Sequence, residues 1–196
     1  ENTPAIVHAG PFANIAHGNS SILADQFAIK CADYVITESG FGADIGAEKF
    51  FNIKCRYSGL APDAAVLVVT VRALKAHSGR YRIVAGKALP PEMLERNIAD
   101  VEAGAANLLK QIENVRLHGV TPVVAINVFE SDHPDEIEAI RRIAVEGGAL
   151  GAAVSRHFTD GGRGAIELAE MVVQAAETPS QFRFLYDLGQ PIKAKI

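Results

Sequence analysis

Apolar residues fall along the chain in two kinds of run. Short β-branched stretches without in-and-out alternation occupy Ala5 to His8, Tyr34 to Thr37, Ala65 to Val71, Pro122 to Val128 and Ala149 to Val154. Runs of that length and composition predict strands buried on both faces. Between them lie segments with apolar residues three and four positions apart: Ser20 to Ala32, a short one from Gly46 to Lys54, Met93 to Leu117, Pro134 to Glu146 and Gly164 to Glu177. In the longest, Ile98, Val101, Ala105, Leu108, Leu109, Ile112 and Val115 line one helical face. Strands alternating with helices predict βαβ crossovers and a mostly parallel sheet in a three-layer α/β sandwich.

Punctuation between the runs supports these boundaries. His118-Gly119 closes the long helix, with glycine able to take the left-handed cap, and Pro122 opens the next strand. Ser131 or Asp132 can cap the helix that begins at Pro134, where the fixed φ of proline suits the first turn. Ala76 to Pro91 has no period and reads as a surface excursion. There is no internal repeat and no low-complexity stretch.

Composition narrows the classes. A chain of 196 residues that is 48% hydrophobic can bury a single core, so 1–196 is expected to be one α/β segment. The longest apolar run, AAVLVVTV at 64–71, is of strand length and far short of the roughly 18 residues that span a bilayer. A net charge of −4, with no run of five like charges and no basic stripe, argues against a nucleic-acid surface and favours small-molecule partners. Cys31 and Cys55 are expected to be buried free thiols, and no metal site is argued from them. The start at Glu1 shows no charged n-region or apolar h-region and reads as a chain entered midway.

In open α/β sheets, ligands bind beyond the carboxyl ends of the strands. The loops expected there are GPFANIAHGNSS (10–21), ESGFGAD (38–44), RALKAH (72–77), FESD (129–132) and SRHFTDGGRG (155–164). Phe41 lies between glycines that let backbone approach a ligand, and is equally suited to a place in the core. Phe129 and Phe158 each follow a strand end; two such rings can sandwich a flat heterocycle, and either can instead plug the core. Gly161 and Gly162 open a helix whose amides favour an anion. Arg72 and Lys75 read as anion ligands or a solvated helix face. Asn127 reads as a base-reading residue or as a brace for its own loop. His17 reads as a proton carrier, a phosphate contact or a histidine satisfied within a polar loop. The chain contains no G-x-x-x-x-G-K-[ST] phosphate cradle and no G-x-G-x-x-G.

Taken together, GPFANIAHGNSS, DYVITESGFGADIGAEKFFNIKCR, LVVTVRALKAH, NLLKQIENVRLHGVTPVVAINVF and GGRGAIELAEMVVQAAE, through FLYDLGQPIKAKI, resemble the formate–tetrahydrofolate ligase family over essentially the whole chain. The resemblance implies a P-loop NTPase-like, Rossmann-like core present only in part, with the P-loop region before this segment and a further domain after it. It implies ATP-dependent ligation of formate to N10 of tetrahydrofolate through formyl phosphate, with Mg2+ accompanying ATP and a monovalent cation possible. It also implies a cytoplasmic homo-oligomer, whose isolated segment is inactive alone.

Residue by residue, the family's stacking aromatics fall on Phe41, Phe129 and Phe158, and its formyl phosphate neighbourhood on Gly10, Asn14, His17 and Gly18. Two departures stand out: SRHFTDGGRG puts Phe158 where relatives carry Trp in a stretch like SEVWAKGGEG, and FESD replaces FPTD. A non-catalytic heterocycle-binding module and a scaffold or interaction domain are the competing readings.

Overall fold

The computed structural model describes residues 3–7 and 19–195. They form two compact units, Glu1–Ala61 with Phe182–Ile196, and Pro62–Gln181.

The first unit is helical and irregular. Helix α1, Ile22–Ala28, is capped by Ser21, whose Oγ accepts from the Ala24 N–H at 3.3 Å. Helix α2, Gly46–Lys49, runs on through a π-helical segment, Phe50–Cys55, into α3, Arg56–Ser58, and ends at Gly59 with φ of 73°. The polar hub is Asn19, buried at 1% exposure. Its Oδ1 accepts from the Ser20 N–H at 2.6 Å, the Thr37 hydroxyl at 2.6 Å and the Lys54 ammonium at 2.5 Å. Lys54 also pairs with Asp25 at 2.5 Å, so one buried cation joins the π segment to α1. The tail packs against this run, with the Arg56 guanidinium 3.9 Å from the Phe184 ring centroid.

The strands expected at Ala5 to His8 and Tyr34 to Thr37 do not form. His8 lies outside the described residues, and residues 3–7 and 34–37 are irregular. A strand requires a hydrogen-bonded neighbour, and among the described residues of this unit the pairing is a single antiparallel bridge, Asn19 to Ser39. Ile36 is accordingly 90% exposed. Cys55 is buried, and burial pushes its thiol up to about 12, whereas Cys31 is exposed because α1 stops at Ala28 and leaves it in the following turn.

The second unit is α/β. Strands β1, Ala64–Val69, β2, Thr121–Asn127, and β3, Ala152–Ser155, form a parallel sheet in that order, with Ala64 opposite Thr121 and Asn127 opposite Ser155. β1 ends two residues earlier than its apolar run suggests, because the Thr70 side chain accepts from the Ala73 N–H at 3.0 Å and starts α4, Val71–His77. The segment before β3 runs beside β2 without qualifying as strand, with Leu150 N–H bonded to Pro122 O at 2.9 Å and Val124 N–H to Gly151 O at 3.0 Å.

The single helix expected over Met93 to Leu117 is three: α5, Pro91–Leu94, α6, Ile98–Gly104, and α7, Ala106–Leu117. Asn97 breaks the first junction by capping α6, its Oδ1 accepting from the Asp100 N–H at 3.1 Å. Gly104 sits where a Cβ would collide with the Leu74 carbonyl, so α6 crosses α4 backbone to backbone. The predicted stripe survives in part: Val101, Ala105, Leu108, Ile112 and Val115 are buried, whereas Ile98 is half-buried and Leu109 is exposed. Gly119, at φ of 76°, ends α7 as its sequence implies.

Helix α8, Pro134–Glu146, has the expected bounds, but neither Ser131 nor Asp132 caps it; His133 holds that position without a side-chain bond. After β3 come α9, His157–Asp160, a 3₁₀ turn, Gly161–Ala165, and α10, Ile166–Glu177. Pro122 to Ile126 are all buried, so β2 is covered on both faces, by α7, α8 and α10. β1 is not, since Val66 and Val68 are exposed.

Lys75 and Glu136 tie the helices of this unit together. Both side chains are buried, and their charged atoms lie 2.6 Å apart. Lys75 Nζ also donates to Met93 O at 3.2 Å and Glu95 O at 2.7 Å, which uses all three of its protons, while Glu136 Oε1 accepts the Asn97 N–H at 2.6 Å. Lys75→Met leaves Glu136 buried without its cation and is expected to lower the unfolding free energy by about 3–5 kcal/mol. Adding Glu136→Leu should recover part of that loss in urea denaturation. A single variant that unfolds at the wild-type midpoint would show that the pair carries no such load.

Candidate functional site

The three strands run parallel, so the segments following them emerge at one edge of the sheet. At that edge α4 begins after β1, the FESD turn follows β2, and the 156–164 loop follows β3. Each is held in shape by its own hydrogen bonds.

The FESD turn is clamped in both directions. Asp132 Oδ2 accepts from the Phe129 N–H at 2.9 Å, and the Asp132 N–H donates to Phe129 O at 3.0 Å. With its carboxylate turned back to the Phe129 N–H, Asp132 does not cap α8. Phe129 is 40% exposed, neither plugged into the core nor free. The Arg72 guanidinium lies over its ring, with Cζ 3.8 Å from the centroid, and Nη2 donates to Ser131 Oγ at 3.0 Å. Burial pushes the Asp132 carboxyl up, against the Phe129 N–H and the Arg72 charge, both of which favour the ionised form.

The loop after β3 is closed by the Arg156 N–H bonding to Gly164 O at 2.8 Å, an approach that leaves no room for a Cβ on Gly164. On it, Phe158 is 92% exposed, so its ring is not a core plug. Ser155, buried at the end of β3, has its Oγ 2.8 Å from His157 Nδ1 and orients that imidazole. Gly161, at φ of 60°, and Gly162 lie in the exposed 3₁₀ turn. Asn127, the last residue of β2, stands opposite Ser155 in the register.

The structure therefore brings Arg72 and Phe129 into contact and sets Phe158 and Asn127 on the same sheet edge. Lys75, read as a possible anion ligand, is turned inward to Glu136. Phe41 belongs to the other unit, where it is 65% exposed and, at φ of 64°, is the single non-glycine residue with positive φ among the described residues. A phenylalanine held there is strained. Gly46, whose absent Cβ would strike Gly40 O, keeps that turn tight. Gly10, Asn14, His17 and Gly18 lie outside the described residues.

Ser131, Asp132, Ser155 and His157 are the neighbours that sequence reasoning passes over. The Asp132 bond runs backward to an N–H three residues earlier, the reverse of the forward bond of an Asx turn, so FESD carries no standard turn signal for it. Nothing in the spacing signals the Ser155 to His157 contact. Among the described residues no group of three or more His, Cys, Asp or Glu is arranged to hold a metal ion, and no helix is long and apolar enough to cross a membrane.

A half-exposed aromatic ring, an arginine and a carboxylate thus stand at the carboxyl edge of a parallel sheet, the edge at which open α/β sheets generally bind their ligands. Comparison with known proteins makes the assignment particular. The profile of the family described as formate–tetrahydrofolate ligase matches residues 1–196, and the chain belongs to that family. Among its relatives, the formate–tetrahydrofolate ligase of Saccharopolyspora erythraea is 66% identical over 196 residues, which cover 100% of this chain and 34% of that protein. Formate–tetrahydrofolate ligase 3 of Rubrobacter xylanophilus is 62% identical, covering 100% of this chain and 36% of the relative, and the Cutibacterium acnes ligase is 60% identical, covering 100% and 35%. The chain thus spans about a third of the length of the curated relatives it matches.

The raised pKa of Asp132 has a definite sign in stability. The folded state holds this proton more tightly than the unfolded chain, so the contribution of Asp132 falls as pH rises from the ordinary carboxylate value through the raised one. Asp132→Asn keeps an acceptor for the Phe129 N–H and removes the buried charge. It is expected to raise the urea midpoint at pH 7, with the gain shrinking as pH is lowered toward 4. A loss of stability at pH 7 would mean that the ionised carboxylate is needed.

Proposed function

We propose that this chain supplies the folate-binding part of an ATP-dependent ligase that joins formate to tetrahydrofolate, giving 10-formyltetrahydrofolate. Family membership supports the reaction, and the observation that carries the site is Phe129: a half-exposed ring held at the sheet's carboxyl edge by a closed turn and by Arg72. In this reading the pterin stacks against Phe129 and Phe158, and Phe41 is the third aromatic residue that the family resemblance assigns to folate. Phe158 offers a smaller surface than the Trp of relatives, and the closed 156–164 loop supplies its rigidity.

Formate is first phosphorylated by ATP, which brings Mg2+ with it as substrate. We assign no residue of this chain to that metal or to a monovalent cation. The N10 amine then attacks the formyl carbon of formyl phosphate, creating an oxyanion that collapses as the C–O bond to phosphate breaks, inorganic phosphate leaves and the nitrogen loses its proton. Asn14 and His17 are the groups we propose to hold or polarise it, with Gly10 and Gly18 as their sequence neighbours. Preorganised donors at such a point are worth about 3–4 kcal/mol each. Gly161, Gly162 and Asn127 complete the nucleotide and phosphate neighbourhood. The rest of the reading follows the family: the parallel sheet belongs to a P-loop NTPase-like, Rossmann-like core treated as a single segment, in a cytoplasmic homo-oligomer. The alternative is a heterocycle-binding or scaffold segment with no reaction of its own.

Calorimetric titration of the 196-residue chain with tetrahydrofolate and, separately, with Mg-ATP tests the site. Folate binding that weakens on Phe158→Ala, without an ATP response, is expected; no binding of folate would favour the scaffold alternative. In a ligase carrying this segment, His17→Ala is expected to lower turnover by more than about tenfold with the fold unchanged, the loss of one oxyanion donor. Unchanged turnover rejects the role of His17.

A further inference from the structure

Arg72 stands in the first turn of α4, whose start is pinned by the Thr70 cap and by Val71, which is buried at 1% exposure. From that anchor the guanidinium reaches the neighbouring loop. Cζ lies 3.8 Å from the Phe129 centroid, Nη2 bonds Ser131 Oγ at 3.0 Å, and Nε is buried without a hydrogen-bond partner. No carboxylate is within ion-pair distance of Arg72 among the described residues. Its direct contacts are therefore the ring and the Ser131 hydroxyl, with the Asp132 carboxylate close enough to feel its charge but not paired with it.

We propose that Arg72 is a positioning residue for the bound heterocycle: it backs one face of Phe129 and leaves the opposite face as the platform for an electron-rich, reduced pterin. The inference rests on the folate reading above and adds which face is used and which redox form is preferred. Two physical consequences of the contact carry it. A ring with one face closed by a guanidinium, on a turn closed by Asp132, has a single orientation left, so a stacking partner meets a preorganised surface and loses less entropy on ordering it. A cation over one face also draws π density toward itself. The far face becomes poorer in electrons, which favours stacking with a ring made electron-rich by amino substituents and reduction.

Calorimetric titration of the chain with tetrahydrofolate, folic acid and inorganic phosphate, together with circular dichroism of the bound folate at saturation, tests the proposal. Arg72→Lys keeps the charge but loses the planar contact and the bond to Ser131. It is expected to weaken tetrahydrofolate binding about tenfold, the scale of a partly desolvated cation–π contact. Folic acid should lose less, phosphate should be unaffected, and the induced dichroic band of bound tetrahydrofolate should change shape. Combining Arg72→Lys with Phe129→Leu should add nothing to Phe129→Leu alone, because Arg72 acts through the ring. Ser131→Ala, which touches only the tether, should weaken binding about threefold and change the band in the same sense. It decides the matter if the arginine variant does not fold.

Wild-type tetrahydrofolate affinity in both variants, or fully additive losses in the double variant, would overturn the positioning role. A selective loss of phosphate binding would also overturn it and make Arg72 an anion ligand. Failure of the wild-type chain to bind folate, or indifference to Phe129→Leu, would instead remove the folate reading on which the proposal stands.

Discussion

The buried pair of Lys75 and Glu136 is the constraint on which the α/β unit depends. An ammonium and a carboxylate removed from water are tolerable only if nearly every hydrogen-bonding position is filled. The groups that fill the three protons of Lys75 and the Oε1 of Glu136 come from separated parts of the chain: α4, the end of α5 and the turn after it, Asn97 and α8; Glu136 Oε2 is buried without a hydrogen-bond partner. Satisfying one cation therefore fixes where the segment between α5 and α6 must run and how α8 lies beside it. Because α4 is anchored in this way one turn beyond β1, Arg72 is held where it can reach across to the loop that follows β2.

That reach gives the edge of the sheet its character. A turn of the type formed by FESD would present Phe129 in several rotamers if only the Asp132 closure held it. With the guanidinium over the ring, the side chain becomes part of the scaffold while keeping a face toward solvent. The 156–164 loop achieves rigidity differently, through one backbone bond and a glycine at the point of closest approach, and leaves Phe158 without a backing residue. Two aromatic groups that look alike in sequence thus differ in mechanical support.

Legibility in the sequence follows the range of the interactions involved. Strands β2 and β3, helix α8 and the apolar stripe of α6 and α7 are readable because periodicity and local caps reflect nearby backbone preferences. The segment Tyr34 to Thr37 has the composition of a strand but no partner, and composition says nothing about pairing. Asn97 and Gly104 split a helix whose apolar period continues across the breaks, since period reports which face is buried and not whether the backbone is continuous. Lys75 and Arg72, three residues apart on one short helix, read alike; one is consumed by a carboxylate and the other by a ring.

By itself the sequence determined the parallel α/β character of the second unit, most of the buried stripe of its long helical segment and, through several long strings in order, the family. Each of these depends on local pattern or on shared descent, both of which are written along the chain. Only tertiary structure decided that Lys75 faces inward and that Arg72 rests on Phe129. Those outcomes depend on groups 18 to 61 residues apart competing for the same donors, acceptors and ring faces, and that competition is settled by distance in space, which sequence separation does not encode.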